Sequence, residues 1–231
     1  MRKFVKKVWR FFLWTIGLFF ALSISLTVLY RFVNPPVTSL MVIRYFSPKE
    51  NQTHRLTKDW VSIENISPHL YNGAIAAEDN LFLHHYGIDF KAIEEARKYN
   101  EKHKGKRVHG ASTITQQTAK NVFLWPQRSY LRKGLEVYFT FLIELCWSKE
   151  RIMEVYLNVI ETGQGIYGVQ RASEIYFKKP ANKLSKGEAA LLIACFPDPR
   201  RRRPDRPTEY LYKRQGQIMS LMNKTERMKV E

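Results

Sequence analysis

Three short stretches of the 231-residue chain hold side chains able to move a proton or grip a charged group. In "EDNLFLHHYG", residues 78–87, Glu78, Phe82 and His85 recur at i, i+4 and i+7, one stripe of a helix. A carboxylate beside "GAIAA" and Phe82 is partly desolvated, which favours its neutral form and suits it to proton transfer. The same residues also read as a solvated Glu-Asp pair at a helix end. In "GASTITQQTAKN", residues 110–121, Thr113 and Gln116 form a capping-box pattern that predicts a helix from about Ile114. Free N–H groups at that start favour an anion, and Lys120, on one face with Gln116, adds a full charge a turn later. Alone, the stretch is equally a capped surface helix. In "RSYLRKGLE", residues 128–136, Arg128, Arg132 and Glu136 share a predicted helical face with Lys133 adjacent. They read either as cations gripping a diphosphate, with Glu136 ordering them, or as ordinary i,i+4 ion pairs.

Other patterns carry less. "GQGIYG", residues 163–168, matches G-x-G-x-x-G, but that motif must follow a strand in a βαβ unit and here it follows the helical "ERIMEVYLNVI". A tight glycine turn joining two helices is expected instead. "PRRRRPDRP", residues 199–207, is a solvated basic turn or a contact for anionic headgroups. Cys146 and Cys195 have no metal-binding spacing and read as two core thiols.

The elements that must position these residues are mainly helical. An apolar helix is expected to run from about Ile63 to a cap at Gly87, and "IDFKAIEEARKYN" forms a second. The basic "EKHKGKRVHG" that follows is expected to be mobile. "YLRKGLEVYFTFLIELCW" is apolar nearly all round, "SKERIMEVYLNVI" starts at a Ser148 cap, and "LSKGEAALLIACF" carries a second capping box and stops at Pro197. Ahead of them, residues 11–30 contain no charge and are long enough to cross a bilayer's hydrocarbon core; a cleaved signal peptide with Ala21-Leu22-Ser23 as a weak small-residue site is the other reading, against which the apolar run continues past that point. The five basic residues in 1–10 keep that end in the cytoplasm, so the remainder faces outward. The expected organisation is a basic segment 1–10, a transmembrane helix 11–30, a connector 31–60 with one short strand at Val42–Phe46, a catalytic domain 61–215 and a polar tail 216–231. With 45% hydrophobic residues the chain is not disordered. Its net charge of +17 calls for an anionic partner. A domain outside the cytoplasm leaves lipid or substrate phosphate rather than nucleic acid.

In order, "AAEDNLFLHHYGID", "GASTITQQTAKN", "RKGLE", "SKERIMEVYLN", "GQGIYGVQRASEIYFKK" and "LSKGEAALLIACFPDP" resemble the peptidoglycan glycosyltransferases, glycosyltransferase family 51. The likeness spans about Leu70 to Pro199 and points to the monofunctional branch, since no Ser-x-x-Lys or Lys-Thr-Gly of a penicillin-binding domain occurs. It implies a lysozyme-like, mainly α domain with a membrane-facing lobe. It also implies polymerisation of lipid II into β-1,4-linked glycan with release of undecaprenyl diphosphate and inversion at MurNAc C1.

On the matching positions, Glu78 would be the general base and Glu136 the second carboxylate of the motif. Lys120, Arg128, Arg132 and Lys133 would serve the diphosphate; Ser112, Thr113, Gln116 and Gln117 would wall the donor sugar and phosphate. Asp79, Phe82 and His85 would be architectural. No protein metal site and no cofactor is expected, although Mg²⁺ or Mn²⁺ could ride on the substrate diphosphate. The implied partners are lipid II, the growing glycan, an anionic leaflet of the bacterial inner membrane and other cell-wall synthesis proteins. Two departures stand out: Lys178 where the family often has glycine, and "IEEARK" where many members carry an arginine near Glu95. The rival readings are a peptidoglycan-cleaving enzyme of the same fold class and a non-catalytic cell-wall scaffold.

Overall fold

The computed structural model describes residues 2–47, 55–103 and 109–230. The segment at 104–108, within the stretch expected to be mobile, lies outside the described residues.

Helix α1, Arg2–Phe32, is long and apolar enough to cross a membrane. Helix α2, Ser39–Phe46, follows; α3 spans Pro68–Glu78, α4 Phe90–Lys102, α5 Ile114–Phe123, α6 Tyr130–Cys146 and α7 Lys149–Val159. Helices α8, Val169–Phe177, α9, Lys186–Cys195, and α10, Glu209–Leu221, complete the domain. Strands β1, Thr57–Lys58, β2, Glu161–Gly163, and β3, Ile166–Tyr167, form a small sheet in the order β1-β3-β2. β1 lies parallel to β3 and β2 antiparallel to it. The architecture is mainly α, as expected.

Local sequence explains most helix starts. Thr38, Ser67, Asp89, Thr113, Ser129, Ser148, Ser185 and Thr208 each accept a first-turn N–H through their side chains. Both expected capping boxes, Thr113/Gln116 and Ser185/Glu188, are present. The core is built on α9, whose residues Ala189–Cys195 are all buried, packed against α3 and α10. A second layer stacks α5 on α6 and α7, and α2 closes over α5.

Several expectations are corrected. The first apolar helix ends at Glu78, not Gly87, because Asp79 leaves helical geometry (φ −162°, ψ 77°) and spends its carboxylate on the start of α5. Glu78, Phe82 and His85 therefore do not form a helical stripe. Val42–Phe46 belongs to α2, since the Thr38 cap outweighs the β-branched residues that follow it. "GQGIYG" is the turn and second strand of a β2–β3 hairpin. Gly165 sits there at φ +66°, and a Cβ would meet the Arg55 carbonyl oxygen at 2.4 Å. The boundary expected at 215 falls inside α10, and beyond it Met222 and Met228 are buried, with Met228 N–H donating to Asn72. Both cysteines are free thiols.

Helix α1 packs on the domain. Its buried Ser23 and Thr27 face α6: Ser23 Oγ lies 2.7 Å from the Tyr138 hydroxyl, and Trp147 Nε1 donates to Thr27 O at 2.7 Å. Arg151 of α7 donates to the carbonyls of Tyr30 and Val33 and to Asn34 Oδ1, satisfying acceptors left open at the helix end.

Candidate active site

Glu78 is the last residue of α3, and α3 is pinned at its other end by the Ser67 cap, whose hydroxyl also donates to Leu184 O. The carboxylate is half-buried and accepts from Gln117 Nε2 at 3.1 Å. Tyr156 Oη points at Gln117 Oε1 from 3.5 Å. Tyr156 is fully buried, and burial raises its phenol well above the ordinary range, so it stays a neutral donor. That fixes the Gln117 amide with its NH₂ toward Glu78.

Burial raises the Glu78 carboxyl above the usual carboxylate range. The Gln117 hydrogen bond and the charges of Arg214 and Lys120 oppose the shift. Lys120, two turns along α5 from its cap, is half-buried. Burial lowers its amine below the usual lysine range; the Glu136 carboxylate and, more weakly, Glu78 act against that, and Arg132 and Lys133 add to it. It has no hydrogen-bond or ion-pair partner among the described residues, so the charge is available to a ligand. Arg132 and Glu136 form a buried ion pair one turn apart on α6, with Lys133 on the second carboxylate oxygen. The Arg132 Nε is buried with no partner among the described residues.

Behind this face the 79–87 segment is tied down atom by atom. Asp79 Oδ2 accepts the Ile114 N–H at 2.9 Å, and Oδ1 pairs with His85 Nε2 at 2.8 Å. His85 Nδ1 accepts the Gly87 N–H, so the ring's proton is on Nε2 and points at Asp79. Gly87 holds φ +86°, and a Cβ there would strike Thr140 Cγ2 at 2.5 Å. Thr113 Oγ1 donates to Gly87 O, and Lys149 Nζ spans His85 O, Glu144 and the face of Phe82.

Two recesses flank the Glu78–Gln117 pair. One, about 580 Å³, is lined by Glu78, Asp79, His84, Ser112 and Thr113, with Lys224–Glu226 closing its far side. The other, about 220 Å³, is lined by Gln117, Lys120, Asn121, Arg44 and Glu161. A base set between a hollow lined by hydroxyls and carboxylates and one that holds Arg44 and Lys120 can take a proton from a group in the first while the second holds an anion.

Of the residues singled out in the sequence, Glu78, Gln117 and Lys120 meet at this boundary, with Arg132, Lys133 and Glu136 behind Lys120. Ser112 is exposed on the rim. Thr113 and Gln116 are buried and spend their side chains on the capping box. The α5 start offers less to a ligand than expected, because Asp79 and Thr113 already take the N–H groups of Ile114, Gln116 and Gln117. Arg128 precedes the α6 cap rather than sharing its face, and is exposed with no hydrogen-bond or ion-pair partner among the described residues. Sequence reasoning missed Tyr156, Arg214 and the Arg44–Glu161–Arg200 ion-pair set. "EVYLN" held a signal for Tyr156; nothing marked Arg214, on a helix read as the domain's end. Among the described residues no group of three His, Cys, Asp or Glu is placed to hold a metal.

The geometry agrees with what the chain is similar to. The transglycosylase family model matches residues 47–223. A biosynthetic peptidoglycan transglycosylase of Bdellovibrio bacteriovorus is 55% identical over 204 residues, 88% of this chain and 81% of that relative. Proteins of the same name from Bacteroides thetaiotaomicron and Mannheimia succiniciproducens are 54% and 47% identical, over 95% and 96% of this chain and 88% and 89% of theirs. With the motif order, the helical architecture and this extent of identity in agreement, the chain belongs to the transglycosylase family.

Proposed function

We propose that the protein is a peptidoglycan glycosyltransferase of bacterial cell-wall synthesis that polymerises lipid II. Glu78 accepts the proton of the acceptor GlcNAc 4-hydroxyl as that oxygen attacks C1 of the donor MurNAc. The new C1–O4 bond forms on the face opposite the breaking C1–O bond, the undecaprenyl diphosphate leaves with the electron pair, and the α linkage becomes β. Lys120, with Arg128, Arg132 and Lys133, meets the charge developing on the diphosphate. Gln117 and Tyr156 hold the Glu78 carboxylate in place, and Glu136 orders Arg132 and Lys133. Thr113 and Gln116 act through the capping box, and Ser112 is left to meet a sugar hydroxyl at the rim. A divalent ion, where one is needed, arrives on the substrate diphosphate; chelation would then slow turnover without altering the protein's melting.

The observation that carries this reading is the hydrogen-bonded Glu78–Gln117 pair between the Ser112-rimmed hollow and a recess holding Lys120, which is unpaired among the described residues. The tethered geometry supports a single-pass protein of the inner membrane, with residues 1–10 cytoplasmic and the domain outside among the other cell-wall enzymes. Polymerisation of lipid II resolved on gels tests the assignment. Glu78→Gln is expected to lose about a hundred- to ten-thousand-fold in rate, the usual range for a general base. Full activity in that variant, or shortening of purified glycan strands by the wild type, would overturn it.

A further inference from the structure

Beyond α10 the chain stays on the domain. Met222 and Met228 are both buried, and the Met228 N–H donates at 2.9 Å to Asn72 Oδ1 of α3, the helix that ends in Glu78. Between these two anchors, residues 223–227 form a strap. Lys186 Nζ of α9 donates to Asn223 Oδ1 at 2.6 Å, and Glu226 pairs with His84 at 2.7 Å. Lys224, Thr225 and Glu226 close one side of the hollow of about 580 Å³ that opens on Glu78. The residues that follow, Arg227–Lys229, line a separate recess of about 340 Å³ with Tyr71 and Asn72. The strap is therefore a wall, not a loose tail.

Stability does not explain the His84–Glu226 pair. Its side chains are 58% and 61% exposed, and an ion pair so open to water adds little to folding. The strap is held to the fold by its two methionines and the Asn72 bond. What the pair fixes is position. His84 belongs to the 79–87 segment, which Asp79 and His85 tie to the start of α5, so Glu226 is registered against the same segment that begins next to Glu78. Two residues before Glu226 stands Lys224. Among the described residues lining the hollow it is the single lysine or arginine, set against the carboxylates of Glu78, Asp79, Asp89 and Glu226. It is exposed, and its ammonium has no hydrogen-bond or ion-pair partner among the described residues. Thr113 has spent its hydroxyl on Gly87 O and Thr225 has given its proton to Leu221 O. Lys224 is thus a donor left over for a guest in the hollow, with three protons to give.

We infer that residues 223–227 are the acceptor-side wall of the active site, with Lys224 donating to the acceptor sugar and the His84–Glu226 pair positioning that donor. This rests on the polymerase reading above, in which the acceptor's 4-hydroxyl lies at Glu78. It gives a binding role to a segment that follows the last helix of the domain. Lys224 touches the sugar; His84 and Glu226 are positioning residues that act through it.

A two-substrate coupling assay on the full-length protein separates the two sides of the site. The donor is a lipid II capped at its GlcNAc O4, and the acceptor is an analogue with CH₂ in place of the oxygen on MurNAc C1. Each can then play one role, and a single coupling results. Lys224→Met and Glu226→Lys are expected to raise the acceptor KM by about fivefold or more, leaving the donor KM and the melting temperature as in the wild type. Reversing the pair, with Glu226→Lys and His84→Glu together, is expected to bring the acceptor KM back to within about twofold of the wild type. Equal rises in both KM values, a fall in kcat alone, or no rescue by the reversed pair would overturn the inference. Hydrogen exchange reads the same wall without turnover. The acceptor analogue is expected to slow exchange at residues 223–227 in the wild type but not in Glu226→Lys, and the capped donor to leave it unchanged; no slowing with the acceptor overturns the inference. A wild type that couples nothing would defeat the polymerase reading, and hydrogen exchange alone would then judge the wall.

Discussion

Glu78 and Lys120 are held at a cost to the fold, and the direction of that cost can be measured. A carboxyl whose folded pKa is raised stabilises the protein fully below its unfolded pKa and loses that contribution as pH rises through the folded one. Glu78→Gln should therefore melt at or above the wild-type temperature at neutral pH, with the gap closing as pH falls below the ordinary carboxylate range, while activity is lost. Scanning calorimetry across pH checks this; a variant less stable at neutral pH would show that the charge is not strained. The wild-type rate should fall on acidification at a pH above the ordinary carboxylate range, because the base must be ionised. Glu136 is held by an ion pair. It is buried against Arg132, so Glu136→Ala strands a buried guanidinium and is expected to cost about 3–5 kcal/mol in urea unfolding. These roles were partly legible in the sequence. Glu78, Lys120 and Glu136 are charged residues at motif positions, but the commitment of Thr113 and Gln116 to a cap was visible only as one of two readings. Arg214 could not have been found, because its link to Glu78 depends on how α10 packs on α3.

At the scale of elements, caps were the most readable feature. Short-range patterns such as Ser185 with Glu188 act within one turn and need no tertiary information. The missed ends have a long-range cause: α3 stops at Glu78 because Asp79 reaches 35 residues ahead to Ile114. The hairpin was hidden for a similar reason, since strands of two or three residues are defined by pairing with one another rather than by alternation. Lys178 is explained by such local geometry. It terminates α8 at φ +59°, ψ 32°, the left-handed conformation that glycine adopts freely, which accounts for the glycine common at that position. Lys178→Gly is expected to stabilise the domain by about 0.5–1 kcal/mol in chemical denaturation, with turnover unchanged. The buried Cys195 thiol, pushed up to about 12 by burial, is inert packing by the same local logic.

For the whole molecule, α1 and the domain are one packed object. The long apolar helix was plain from hydropathy, but its docking was not, because Ser23 and Thr27 look like ordinary small residues of such a helix until Tyr138 and Trp147 meet them. A chain shortened to residues 33–231 should unfold several degrees lower in the same detergent, since it leaves Trp147 Nε1 without its acceptor and bares Phe139. An unchanged melting temperature would show that α1 only tethers. The net charge of +17 and the absence of acidic residues before Glu50 favour holding the molecule against an anionic leaflet. Arg151 gives that attachment a fixed length. By gripping the last carbonyls of α1 from α7, the helix that also supplies Tyr156, it allows little swivel between the span and the cleft. On the proposed single-pass topology the molecule is in effect a gauge: bilayer thickness would set where α1 rests, and Glu78 would follow at a constant altitude above the hydrocarbon. Thinning or thickening the bilayer would then shift both together, so the proposed reaction plane would ride with the membrane rather than sway above it.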